Sequence, residues 1–214
     1  MRSRLRTLFA FSALLFLPAR SAFAQRARAN ASAERAVANH NLIGSPLYGA
    51  SFGVDFPLSS GLVVRLGGER VSGNASRTGV ACGGWVLRPE LCPTESLVDD
   101  ATLTTASAGL AFWTETRGRL VLNLSGDLRA GAIQSTTRGS TTGNAIGADA
   151  ALVGVDLGAE VHWLPLARVP VALDLGATIG VLKPLVPQAT DSYLPFDEAF
   201  RVSRLRIGLS WRPK

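Results

Sequence analysis

The stretch that decides the fold reads Ala151-Leu152-Val153-Gly154-Val155-Asp156-Leu157-Gly158-Ala159-Glu160-Val161-His162-Trp163. One set of alternate positions, from Ala151 to Trp163, is apolar throughout. The other set holds Leu152, Gly154, Asp156, Gly158, Glu160 and His162. Successive side chains of a β-strand point to opposite faces, so this period of two describes a strand with one greasy and one polar face. Its thirteen residues exceed the about 5–6 of a usual soluble strand.

The same rhythm recurs along the chain. Val171, Leu173, Leu175, Ala177, Ile179 and Val181 alternate with Ala172, Asp174, Gly176, Thr178 and Gly180. Leu205, Ile207, Leu209 and Trp211 alternate with Arg204, Arg206, Gly208 and Ser210. Four earlier segments agree: Tyr48 to Phe56, Leu62 to Glu69, Thr105 to Phe112 and Leu120 to Leu128. An eighth segment, Ala27 to Val37, alternates Ala27, Ala29, Ala31 and Ala33 with Arg28, Asn30, Ser32 and Glu34. Its alanines with Glu34 and Arg35 would equally suit the start of a helix or a loose end.

Connections alternate in length. Short ones follow Phe56, Trp113 and Trp163; long ones run from Gly73 to Asp100, Ile133 to Gly147 and Lys183 to Ala199. Short turns at one end and long loops at the other are the layout of a bacterial transmembrane β-barrel. Lipid offers the backbone no hydrogen-bond partner, so strands cross it only as a closed ring. A tilted crossing takes about 9–11 residues, as these segments supply. Four outward aromatics, Phe56, Phe112, Trp163 and Trp211, fall at the short-turn or chain-terminal end and form a candidate periplasmic girdle.

The amino-terminal segment supplies an export route. Residues 1–24 carry Arg2, Arg4 and Arg6, an apolar run from Leu8 to Leu17 and the small-residue exit Ala22-Phe23-Ala24. That is the pattern of a signal peptide, with the barrel domain expected over 25–214. The whole chain has 22 basic and 16 acidic residues, net +6. Without Arg2, Arg4, Arg6 and Arg20 the remaining 190 residues carry 18 basic and 16 acidic groups, net +2. That small excess gives no reason to expect nucleic-acid binding. Two His and two Cys are too few for a structural zinc site, and no cofactor or metal is expected. Cys82 and Cys92 lie in the longest loop. In an oxidising compartment they are expected to bridge, adding up to about 3 kcal/mol in the entropic picture.

The pattern resembles the small outer-membrane β-barrel family of the OmpA/OmpX type. The terminal strand Arg204 to Trp211 is its most specific element, although Arg212-Pro213-Lys214 follow the aromatic where the family often ends. The resemblance implies an all-β, antiparallel up-and-down transmembrane barrel of eight strands in the bacterial outer membrane. It also implies insertion by the barrel-assembly machinery and a surrounding of outer-membrane lipid and lipopolysaccharide. A monomer is expected.

The inward faces carry Arg65, Glu69, Asp127, Arg129, Asp156, Glu160, Asp174, Arg204 and Arg206. Eight strands leave a bore just wide enough for side chains, and unpaired charge there is costly. An ion network filling the lumen follows, with Arg204 and Arg206 as its expected centre and Gly154, Gly158, Gly176, Gly180 and Gly208 making room for them. His162 beside Glu160, with Ser125 and Ser210 nearby, contains the residue types of a hydrolase. Lipid-modifying barrel enzymes work at the lipid-facing or outer rim, so a structural role for His162 is expected and no catalysis. The functional expectation is a structural or surface-interaction barrel acting through its long loops. The alternative is a narrow channel for small solutes. If the faces are assigned correctly, Leu175→Arg at mid-depth of the lipid face should cost about 2–4 kcal/mol in a detergent-to-urea unfolding titration. Asp174→Asn next to it should cost less through lipid and more through the ion network. Equal tolerance of both would reverse the two faces.

Overall fold

In the computed structural model, residues 27–39, 43, 46–59, 61–80, 94–115, 119–143, 145–165, 169–185 and 198–211 are described. Eight strands follow one another around a closed barrel: β1 Arg28–Ala38, β2 Leu47–Ser59, β3 Leu62–Val80, β4 Thr94–Glu115, β5 Leu120–Gly139, β6 Ala145–Trp163, β7 Val171–Pro184 and β8 Phe200–Trp211. Every neighbouring pair is antiparallel, and β1 pairs with both β2 and β8. The Ala-rich first segment is therefore a strand. Without it β2 and β8 would each present an unpaired edge to lipid.

The register fixes the barrel's shape. The line of paired residues Arg28, Asp55, Arg65, Gly109, Asp127, Asp156, Gly180 and Val202 returns to β1 at Ala38, ten residues above its start. Eight strands about 4.8 Å apart with that stagger tilt by about 40° and enclose a wall of about 8 Å radius.

Alternation sorts side chains as the sequence requires. Leu124, Leu128, Leu157, Leu175, Ile207 and Phe52 are outward and exposed, whereas Asp156, His162, Arg204 and Ser210 are buried inside. The short connections sit at one end; the one between β2 and β3 turns at Gly61, whose φ of 93° lies in the left-handed region that glycine tolerates. The expected long loops prove shorter. Gly73 to Val80 extends β3 and Thr94 to Asp100 extends β4, while Ile133 to Gly139 and Ala145 to Gly147 extend β5 and β6. Above the apolar belt the outward face turns polar, as at Ser72, Asn74, Ser76 and Thr78, so the greasy half of the period-two signal disappears while the ladder continues. Lys183 and Pro184 likewise extend β7. Residues 1–26, both cysteines, Cys82 and Cys92, and the last three residues lie outside the described part.

The top of the β5–β6 hairpin is held by one carboxylate. Glu95 on β4 accepts hydrogen bonds from the backbone N–H of Thr141 (2.5 Å) and Thr142 (3.0 Å) and from the Thr142 hydroxyl (2.6 Å). The Thr142 hydroxyl, then the Thr142 and Thr141 amides, hold its pKa below the usual carboxylate range. A depressed folded-state pKa stabilises fully above the unfolded value of about 4.3 and fades as pH falls through the folded one. Amide exchange at Thr141 and Thr142, taken relative to the unstructured-peptide rate at the same pH, should therefore quicken below about pH 4. In Glu95→Gln it should be faster at neutral pH and lose that pH dependence; exchange unaffected by the substitution would remove Glu95 from this role.

Candidate functional site: a filled lumen

From the short-turn end upward, the barrel interior is built in levels that follow from the register. At the floor, the guanidinium of Arg28 stacks over Trp113, 3.7 Å from the ring centroid. The buried Arg28 makes no hydrogen bond among the described residues, so the ring face supplies its favourable electrostatics. Trp113 in turn leans on His162, centroids 6.0 Å apart. His162 Nδ1 lies 2.5 Å from Asp174 Oδ1, which also accepts from the Ser210 hydroxyl at 3.0 Å.

A lower ion cluster stands above this floor. Arg65 donates from Nε to Asp55 (3.0 Å) and from Nη2 to Glu160 (2.7 Å). Asn123 donates to the same Glu160 oxygen at 3.1 Å, and Arg206 approaches the other at 2.9 Å.

The upper cluster is the densest. Glu34, Glu69, Arg129, Asp156 and Arg204 lie within about 3 Å of one level along the barrel axis, given the register and tilt. Arg204 reaches Glu69 and Asp156 at 3.0 Å each and Glu34 at 3.4 Å. Arg129 pairs with Glu69 at 2.8 Å and with Asp156 through Nε, and donates to the Thr105 hydroxyl, which itself donates to Glu69.

All nine inward charges read from the sequence face the lumen. Seven of them form the two clusters, while Asp174 belongs to the floor and Asp127 accepts from the Ser125 hydroxyl at 3.3 Å. The centre differs from expectation: Arg204 and Arg129 hold it, whereas Arg206 touches Glu160 alone among the described carboxylates. The glycines also serve different neighbours. A Cβ on Gly180 would collide with Asp156, one on Gly176 with Glu160 and one on Gly109 with Asp127. Each acid is the direct cross-strand partner of its glycine, so it lies flat over it. Glu34, Asp55, Arg28 and Trp113 were missed as lumen residues. The inward phase of β1 and of the β2 segment carries the signal for the first three, and Trp113 continues the inward phase of Ser107, Gly109 and Ala111.

Above the upper cluster the lumen turns apolar. Ala36, Leu47, Val71, Leu103, Ile133, Leu152, Leu182 and Val202, one from each strand, pack with Phe200, Ile43 and their neighbours into a buried disc. Lower down, a polar cavity of about 20 Å³ borders Asn30, Ser51, Gly53, Asp127 and Arg206, space for a single water molecule. Neither Ser125 nor Ser210 bonds to His162; their hydroxyls serve Asp127 and Asp174. Among the described residues no group of three His, Cys, Asp or Glu side chains is arranged to hold a metal ion.

Outside, Phe56, Phe112, Trp163 and Trp211 come within about 4 Å of one level along the axis, given the register and tilt. Phe112, Trp163 and Trp211 are exposed and Phe56 is half-buried.

No protein-family model and no curated protein matches this sequence. Solved structures do match in shape. Neisserial surface protein A is similar with a TM-score of 0.53 at 13% identity, covering 87% of this chain and 96% of that one. A major outer membrane protein from Thermus thermophilus gives 0.54 at 15% identity, covering 87% and 99%. The chain thus has the fold of small outer-membrane β-barrels.

Arg204 is the test of the network. Arg204→Ala leaves Glu34 without an ion pair among the described residues and Glu69 and Asp156 with Arg129 alone, and should cost about 3–5 kcal/mol in urea unfolding from micelles. Arg206→Gln, with one partner and a more open site, should cost clearly less. Equal losses would mean that the cations do not differ in rank.

Proposed function

We propose that this protein is a bacterial outer-membrane barrel that works as an anchored surface element and does not conduct. The observation that carries the reading is the inverted distribution of side chains. Leucines and isoleucines stand exposed around the wall, while arginines and carboxylates are buried within it. In water that arrangement would expose a large apolar patch; in a bilayer the apolar wall meets acyl chains, while the buried charges are met by one another inside. The aromatic level then marks the periplasmic interface, and the short turns face the periplasm. Export through a signal peptide over residues 1–24 and insertion by the barrel-assembly machinery complete the route.

The part offered to the surroundings is the extension of β3 to β6. These four strands continue roughly 20 Å beyond the point where β1, β2, β7 and β8 end, given their lengths and tilt. Their outward face there carries Ser72, Asn74, Ser76, Thr78, Ser96, Asp100, Thr102, Gln134, Thr136 and Arg138, a hydrophilic wall suited to contacts in water. A disulfide between Cys82 and Cys92 would close a short covalent loop between β3 and β4.

The competing reading is a narrow channel, which the column of charge from Asp55 up to Arg204 favours. The apolar disc supports the closed reading instead, because its ring of Leu, Ile, Val and Ala side chains offers water and ions no polar path. Purified protein in planar bilayers should give no steady single-channel current, and liposomes should not swell in sugars. Leu103→Ser combined with Ile133→Ser should raise leak conductance. Large, steady currents from the unaltered protein would establish the channel.

A further inference from the structure

The two ion clusters of the lumen differ in their balance of charge. The lower one sets Arg65 and Arg206 against Asp55 and Glu160, two cations for two acids. The upper one sets Arg129 and Arg204 against Glu34, Glu69 and Asp156, two cations for three acids.

The acid in excess is Glu34. Its side chain is fully buried, and neither carboxyl oxygen accepts a hydrogen bond among the described residues. Its direct cross-strand partner on β8 is Arg206, whose guanidinium turns instead to Glu160. Arg204 Nε stands 3.4 Å from Glu34, but its one N–H is directed at Glu69 Oε1, 3.1 Å away. The other two acids are better served. Glu69 also accepts from the Thr105 hydroxyl and lies against Arg129, and Asp156 accepts from Arg129 and Arg204. The remaining strands bring no further charge to this level: β2 offers Gly49 and Ser51, β4 Thr105 and β7 Thr178.

Burying an ionised carboxylate without a donor is costly, and a second carboxylate beside it adds repulsion. A neutral carboxylic acid avoids both, because its O–H is itself a donor. The acceptor is at hand. Glu34 and Glu69 lie within hydrogen-bonding reach of each other, and Glu69 Oε2 has no hydrogen bond among the described residues. We propose that the upper cluster binds a proton as its third cation: Glu34 is a neutral carboxylic acid at neutral pH, and its O–H donates to Glu69. Glu69 remains the anion, held by Arg129 and Arg204. The shared proton joins β1 to β3 across β2, on the strand whose ladder with β8 closes the ring.

Infrared spectroscopy of the full chain, folded in micelles at neutral pH, reads the proton directly, since a carboxylic acid has a carbonyl stretch apart from that of a carboxylate. Wild type should show an acid band that moves in deuterium oxide. A heavy carbon isotope in the glutamate carboxyls should shift it; the same label in aspartate should not. Glu34→Gln should abolish the band yet keep the urea midpoint of wild type, because the amide N–H takes over as donor. Glu69→Gln removes the anion that both arginines hold and should lower the midpoint. Absence of the band from folded wild type, its persistence in Glu34→Gln or its shift with labelled aspartate overturns the site. A midpoint for Glu34→Gln as low as that of Glu69→Gln overturns the assignment of the proton to Glu34.

Discussion

Everything in this structure follows from one deficiency of the surrounding solvent: hydrocarbon donates and accepts no hydrogen bonds. A strand exposed to it must find partners for every N–H and C=O within the sheet, and only a ring supplies them without an edge. Closure then dictates the rest. Eight strands with a stagger of ten leave a bore about as wide as two arginine side chains laid end to end. The inside must be filled by the chain itself, and the outside must be greasy.

The filling is layered because the solvents at its two ends and the needs of the middle differ. At the floor an aromatic and a histidine close the bore with rings. In the middle, arginines and carboxylates satisfy one another in two tiers, and Asp156 and Glu160 each lie across a glycine on the neighbouring strand. Near the outer end the same phase of alternation switches to Leu, Ile and Val. Buried ion pairs gain little net stability, because desolvation offsets attraction. Their value here is geometric. Glu69 and Asp156 each bind both Arg129 and Arg204, so four strands are tied at one level.

The strands of the lipid belt were legible because lipid demands a strictly apolar outward face. Val153, Val155, Leu157, Ala159 and Val161 admit no other reading. The first strand was ambiguous, since alanine is small enough for lipid, for a helix or for a loose end. Ring closure, a property of all eight strands together, resolves it. The extended hairpins were hidden for the opposite reason: above the belt both faces are wet, and Ser-Thr-rich strand resembles loop. The apolar disc escaped notice because at its level the outward face is no longer uniformly greasy: Leu182 lies between Val181 and Lys183, and Val202 between Arg201 and Ser203. The lumen charges could be assigned to a face but not to a level, because level depends on stagger, and stagger is invisible in a single strand.

Stagger and charge nevertheless prove to be the same information. The line of cross-strand partners that closes the barrel passes through Arg28, Asp55, Arg65, Gly109, Asp127, Asp156 and Gly180, five charges interrupted by two glycines that leave room for the acids beside them. Shift β7 by two residues against β6 and every side chain keeps its face, so hydrophobicity does not object. The residue then brought opposite Asp156 is Thr178 in place of Gly180, and its β-branched side chain would fill the space in which the carboxylate lies. The acid would be driven from Arg129 and Arg204 and left buried without a counter-charge. Face is thus chosen by lipid, whereas register is chosen by where an acid finds a glycine beside it and an arginine beyond.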